Sequence, residues 1–116
     1  MAKSAQFLRC NALDALSMKE CGEYIENNFQ KLYVDTVNWP SATAYQPICA
    51  VMGAYSDKYL YVHFVVRENG ILAENCKNLS PVANDSCVEF FLKTPTRDEY
   101  WNFEFNCIGA INASHR

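Results

Sequence analysis

The segment from Tyr100 to Asn106 alternates aromatic and polar side chains residue by residue. In an extended strand successive side chains point to opposite faces. Trp101, Phe103 and Phe105 therefore share one side, and Tyr100, Asn102, Glu104 and Asn106 share the other. This predicts a strand whose aromatic side, Trp101 included, is core and whose other side is wet. A row of polar groups on an aromatic frame suits a binding face, and a plain solvated sheet face has the same pattern. The preceding strand, Asp85 to Lys93, places Cys87 and Glu89 together outside the aromatic core, and the polar turn Thr94 to Asp98 joins the two.

The same periodicity extends upstream. Pro47 to Tyr55 is an apolar strand, Ser56-Asp57-Lys58 a tight connection, and Tyr59 to Arg67 a tyrosine- and valine-rich strand, giving a hairpin. Leu60, Val62, Phe64 and Val66 are read as its core side, with Tyr59, Tyr61, His63, Val65 and Arg67 opposite and away from the core. The segment Ala73 to Asn84, rich in Asn, Ser and Pro, is loop composition. Residues 1–30 read as a lead-in that packs on the domain rather than joining a sheet. Leu8, Leu13 and Leu16 make a short amphipathic turn there, and Asn11 to Asn28 forms a helix or an irregular stretch. Residues 31–116 then form the domain proper. Five or six strands at regular spacing predict an all-β, antiparallel β-sandwich of the two-sheet jelly-roll or immunoglobulin-like kind.

Charge and composition exclude several partners. The net charge of −3 comes without a Lys/Arg-rich block, so the electrostatic footprint of a nucleic-acid binder is missing. No apolar run approaches the roughly 18 residues of a membrane span, and Met1 to Cys10 lacks the apolar region of an export signal, so the chain as given reads as cytoplasmic. The six cysteines, at 10, 21, 49, 76, 87 and 107, include no C-x-x-C pair and read as reduced, mostly buried thiols rather than zinc ligands.

The run DSCVEFF, then YWNFEFNCIG, preceded by YLYVHFVVRENGIL, resembles carbohydrate-binding module family 9 and its bacterial, Bacteroides-type relatives, β-sandwich domains often attached to xylan- and cellulose-degrading enzymes. The resemblance runs from about Tyr33 to the C-terminus. It implies a non-catalytic module for a plant or microbial polysaccharide or its oligosaccharides, in a family whose members are often secreted or periplasmic. It also implies a longer domain, with further strands after Ile111 supplied by a missing segment, a second fragment or a homodimer partner. Glu89 matches the family's sugar-binding glutamate. Where the family has a stacking tryptophan this chain has Val82, and where it has a sugar-binding arginine this chain has Glu104.

The residues themselves supply a polyol-binding set of carboxylate, amide, guanidinium and aromatic groups: Glu89, Glu104, Asn102, Asn106, Arg67, His63, Tyr61 and Tyr100. Trp39, beside Pro40, is either a packing residue or a sugar platform. Three other readings stand beside this one. Glu89 and Glu104, opposite each other, would suit a glycosidase if their carboxyls stood about 5–5.5 Å apart. Met52 with His63 or His115 could ligate a haem, and Asp57, Asp85 and loop asparagines could hold calcium. An interaction module with exposed strands would need no sugar.

Overall fold

Helix α1 (Met18–Asn28) begins at a capping box in the computed structural model, which describes residues 4–35, 47–68 and 70–116. The Ser17 hydroxyl accepts from the Glu20 N–H at 3.1 Å, and the Glu20 carboxylate accepts from the Ser17 N–H at 3.0 Å. Two N–H groups that a helix start leaves unpaired are thereby satisfied. The chain divides into two compact units, Met1–Glu68 and Asn69–Arg116, and each has its own sheet.

In the first unit, β1 (Leu8–Arg9), β2 (Leu32–Tyr33), β3 (Ile48–Tyr55) and β4 (Leu60–Arg67) form one sheet around β3. The expected hairpin is present: β3 and β4 pair antiparallel along their full length, from Ile48 with Arg67 to Tyr55 with Leu60. The other edge of β3 is shared, β2 pairing antiparallel at Ala50 and Val51 and β1 parallel at Ala54 and Tyr55. Leu8 and Arg9 thus join the sheet instead of packing over it. At Gly53 a Cβ would fall 2.5 Å from both the Phe7 ring and the Tyr61 carbonyl oxygen, a close approach that only glycine allows.

The core of this unit lies between the lead-in and the sheet. Leu13, Cys21 and Ile25 pack with Ala50, Met52 and Ala54, all at most 6 % exposed. The face of β4 expected to look away from the core is therefore the one that meets it, with Tyr61 and Val65 packed against this cluster. Tyr61 buries its ring and sends its hydroxyl to Asp14, while His63 sends Nε2 to Glu26 of α1 at 2.7 Å. Amphipathic side chains can line a core in this way because only their tips need polar partners. On the opposite face, Leu60 and Val66 are exposed and Val62 and Phe64 half-buried.

In the second unit, β5 (Cys87–Leu92), β6 (Trp101–Asn106) and β7 (Ile111–His115) form an antiparallel sheet with β6 central. Strand β7, which the sequence reading did not assign, pairs with β6 from Phe105–Ile111 to Trp101–His115. The turn into it needs a left-handed residue, and Gly109 supplies it at φ +87°. The segment before β5 carries a short 3₁₀ turn, Val82–Asn84, packed against β6. All six cysteines are free thiols.

Candidate functional site

One face of the second sheet gathers most of the polar side chains singled out in the sequence. Cys87, Glu89 and Phe91 on β5 share it with Tyr100, Asn102, Glu104 and Asn106 around β6 and with Asn112 and Ser114 on β7. The face is not simply wet. Asn102, Glu104 and Asn106 are each at most 7 % exposed, whereas Trp101 on the aromatic side is 46 % exposed. The aromatic side had been read as core and the polar side as solvated; the exposures reverse that reading. The polar groups tolerate burial because most of them are hydrogen-bonded to neighbours on the same face or in the loop before β5.

Glu89, Glu104 and Asn112 stand on one rung across the three strands. Asn112 Nδ2 donates to Glu104 Oε1 at 2.9 Å. Burial pushes the Glu89 carboxyl above its ordinary range, its hydrogen bond with Glu104 and the charge of Glu104 push it further, and Arg116 opposes the shift. The Glu89 carboxyl is thereby the member of this rung that binds a proton more tightly than usual.

Toward one end of the row the loop closes over Asn106. Asn106 Nδ2 donates to the Asn75 carbonyl at 2.5 Å and to Asp85 Oδ2 at 3.1 Å, and Asn106 Oδ1 accepts from the Ala110 N–H at 2.8 Å. Asp85 Oδ2 also accepts from the backbone and side chain of Asn75, at 2.9 and 3.2 Å. The Asn75 N–H is the chief reason that the Asp85 carboxyl is held below its ordinary range, with the Asn106 amide assisting against burial. Asn106, chosen as a ligand contact, thus spends its whole amide on the loop and the turn. Val82, which replaces a stacking tryptophan in the family comparison, is completely buried and packs under that loop.

Toward the other end lies an aromatic pair. The rings of Phe91 and Tyr100 meet at 5.9 Å with a 59° tilt, and Phe91 is 55 % exposed. Phe91 was not singled out from the sequence, yet it stands two residues after Glu89, and a period of two places it on the same face. Between the two ends, Asn102 Oδ1 is buried without a donor, as is Asp85 Oδ1 beneath the loop. These two orphaned acceptors are the least satisfied polar atoms among the described residues.

The remaining residues of the expected set sit elsewhere. His63 and Tyr61 belong to the first unit and are held by Glu26 and Asp14. The Asp14 hydrogen bond raises the Tyr61 hydroxyl to about 12 and lowers the Asp14 carboxyl. Arg67 lies exposed at the end of β4, and Trp39 falls outside the described residues. Met52, offered as a haem ligand, is a core residue 2 % exposed. Of the oxygens offered to calcium, Asp57 takes Arg9 and Asn11 in the first unit while Asp85 takes Asn75 and Asn106 in the second. The described residues contain no group of three acidic, histidine or cysteine side chains placed to hold a metal. No helix among them is long and apolar enough to cross a membrane.

This row, on a mostly-β chain with two sheets and one α-helix among the described residues, is carried by a fold with known relatives. The model of carbohydrate-binding family 9 matches residues 21–115, and the chain belongs to that family. A solved structure of a candidate carbohydrate-binding protein from Bacteroides uniformis is similar, with a TM-score of 0.78 and 26 % identity over 94 % of this chain. The likeness bears out the β-sandwich fold expected from the strand pattern. The chain spans about half, 50 %, of that protein's length. None of the curated proteins compared with it matches.

Proposed function

We propose that the second unit is a non-catalytic carbohydrate-binding module whose ligand, a plant or microbial polysaccharide or an oligosaccharide from one, lies on the polar face of β5, β6 and β7. The observation that carries this reading is the surplus of acceptors at its centre. Glu104 and Asn102 are buried side by side on β6, and Asn102 Oδ1 has no donor among the described residues. Sugar hydroxyls are donors as well as acceptors, and one that parts the side chains covering Asn102 can give its proton to such an oxygen. Leaving a buried acceptor unpaired costs about 1–3 kcal/mol, so a ligand that supplies the missing donor recovers that cost. The exposed Phe91 beside Tyr100 adds an apolar ring surface for the C–H face of a sugar.

Two features favour binding over hydrolysis. Glu89 and Glu104 are directly opposite on β5 and β6 and near enough for Glu104 to raise the Glu89 carboxyl, which sets them beside one another rather than on either side of a glycosidic bond. Glu104 is also 7 % exposed and held at Oε1 by Asn112, so its carboxylate serves as a fixed acceptor rather than an open nucleophile. The ligand set differs from an acid–arginine arrangement in being acceptor-rich, so it selects neutral polyols with accessible hydroxyl donors rather than acidic sugars. Isothermal titration calorimetry against neutral xylo- and cello-oligosaccharides tests the reading. Binding weakened at least tenfold by Glu89→Ala, about 1.4 kcal/mol, supports it. A panel without heat, or an affinity indifferent to Glu89→Ala and Asn102→Ala alike, contradicts it.

A further inference from the structure

The other face of the same sheet holds a half-open concavity of about 360 Å³. At its base Leu92, Trp101 and His115 form the terminal rung across β5, β6 and β7. The turn between β5 and β6 surrounds them with Thr94, Thr96, Arg97 and Glu99. Its size lies at the small end of the roughly 300–1,000 Å³ typical of small-molecule sites.

Three properties define what would fit. Trp101 lies on the His115 ring, centroids 4.4 Å apart at 20°, with the Phe103 ring near-parallel at 6.4 Å, and remains 46 % exposed, so part of its electron-rich indole is open to solvent. Arg97 Nη1 and Glu99 Oε1 pair at 3.3 Å, so the fixed charges beside that surface cancel. Two threonine hydroxyls complete the polar surround. A cancelled charge disfavours phosphate, carboxylate or ammonium ligands, and a flat indole favours a ring with an apolar C–H face. A planar guanidinium and a carboxylate can each satisfy two neighbouring hydroxyls. One neutral pyranose unit has both the C–H face and the vicinal hydroxyls.

We infer that this concavity is a second sugar subsite, with Trp101 as the stacking platform and Arg97, Glu99 and the threonines as hydroxyl partners. Position 101 differs from position 104 by an odd number of residues, so the platform and the carboxyl row point to opposite faces of β6. The sheet then binds glycan on both faces, independently. The ligand class rests on the reading given under Proposed function; the location does not.

The chain has two tryptophans, so in a Trp39→Phe background the emission reports on Trp101 alone. Titration with xylotetraose and cellotetraose is expected to give a saturable change in that emission, retained in Glu89→Ala and weakened at least tenfold by Arg97→Ala. Arg97 is 71 % exposed, so its removal leaves the fold intact, which circular dichroism verifies. If Trp39→Phe lowers the melting temperature, the same titration is read by ¹⁹F NMR on the 5-fluorotryptophan-labelled natural sequence. Calorimetric binding that depends on Glu89 while the Trp101 signal stays silent overturns the second subsite and leaves the first standing. A Trp101 response abolished by Glu89→Ala overturns the independence of the two. Absence of both heat and signal overturns both.

Discussion

The two units build similar sheets and use the polar-looking face of each in opposite ways. In the first, that face of β4 meets an apolar core of Leu13, Cys21, Ile25, Ala50, Met52 and Ala54, and the polar tips of Tyr61 and His63 are answered by Asp14 and Glu26. In the second, the corresponding face is a polar network, and two of its buried oxygens, Asp85 Oδ1 and Asn102 Oδ1, have no donor among the described residues. A closed account of donors and acceptors marks a structural face, and an acceptor surplus marks a place for a ligand. The contrast also explains why His63 and Tyr61, chemically as suitable as Glu89, are not the residues to pursue.

The contrast can be broken most forcefully in the first unit. Ile25→Ala removes a side chain 2 % exposed from the helix–sheet core and is expected to cost about 2–5 kcal/mol in urea unfolding. Folded protein that remains should bind sugar with unchanged affinity. Reduced affinity would mean that the first unit contributes to the site. Next in size, Asn106→Ala deprives Asp85 Oδ2 and the Asn75 carbonyl of a donor, at an expected cost of about 1–3 kcal/mol. Hydrogen exchange should rise in residues 72–86 and not in α1. Ser17→Ala removes one half of the capping box and should cost about 1 kcal/mol, with its exchange effect confined to the start of α1.

The smallest expected effect is on pH dependence, and it sharpens the comparison because lowered acids occur in both units, Asp14 and Glu20 in the first and Asp85 in the second, whereas the raised acid, Glu89, lies in the second. Asp85 is held below its ordinary 3.8, so it stabilises the fold above that pH and loses this contribution as the pH falls through its folded value. Glu89 is raised above its ordinary 4.5, so the folded form binds the proton more tightly than the unfolded chain. Its contribution is fully present below 4.5 and is lost as the pH rises through the raised value. Glu89 is partly exposed and solvent screens the shift, so the effect is modest. Glu89→Gln should flatten the decline on the high-pH side without altering acid unfolding. An unchanged profile would mean that the Glu89 carboxyl is not raised in the folded chain.

Much of the sheet framework was legible in the sequence. Strands over 48–55, 60–67, 87–92 and 101–106 follow from period-two alternation and turn chemistry, as does the opposition of Glu89 and Glu104. Which face is covered did not follow. Alternation says which residues share a side, but in the first unit the cover comes from α1 and the turn before it, remote in sequence from β4, and around Asn106 from the loop before β5. Trp101 was misassigned for that reason, because an aromatic strand face looks like core until its surroundings are known. β1 and β2, two residues each, are too short to show a period, and β7 reads INASH, with one strongly apolar residue. The start of α1 is fixed by the capping box Ser17-x-x-Glu20, a local signal that the reading of Asn11 to Asn28 as a helix or an irregular stretch did not use. Nothing local announces the orphaned Asn102 oxygen, because burial and the absence of a donor are properties of the assembled sheet.

The most direct test of the contrast between the two units is a ¹H–¹⁵N NMR titration of the chain with xylotetraose and cellotetraose. The account predicts saturable shifts at the amides of Glu89, Phe91, Asn102, Glu104 and Asn112, together with the Asn102 side-chain amide, and none at Asp14, Glu26, Tyr61 or His63. Shifts concentrated around Tyr61 and His63, with the β5–β7 rung silent, would contradict it.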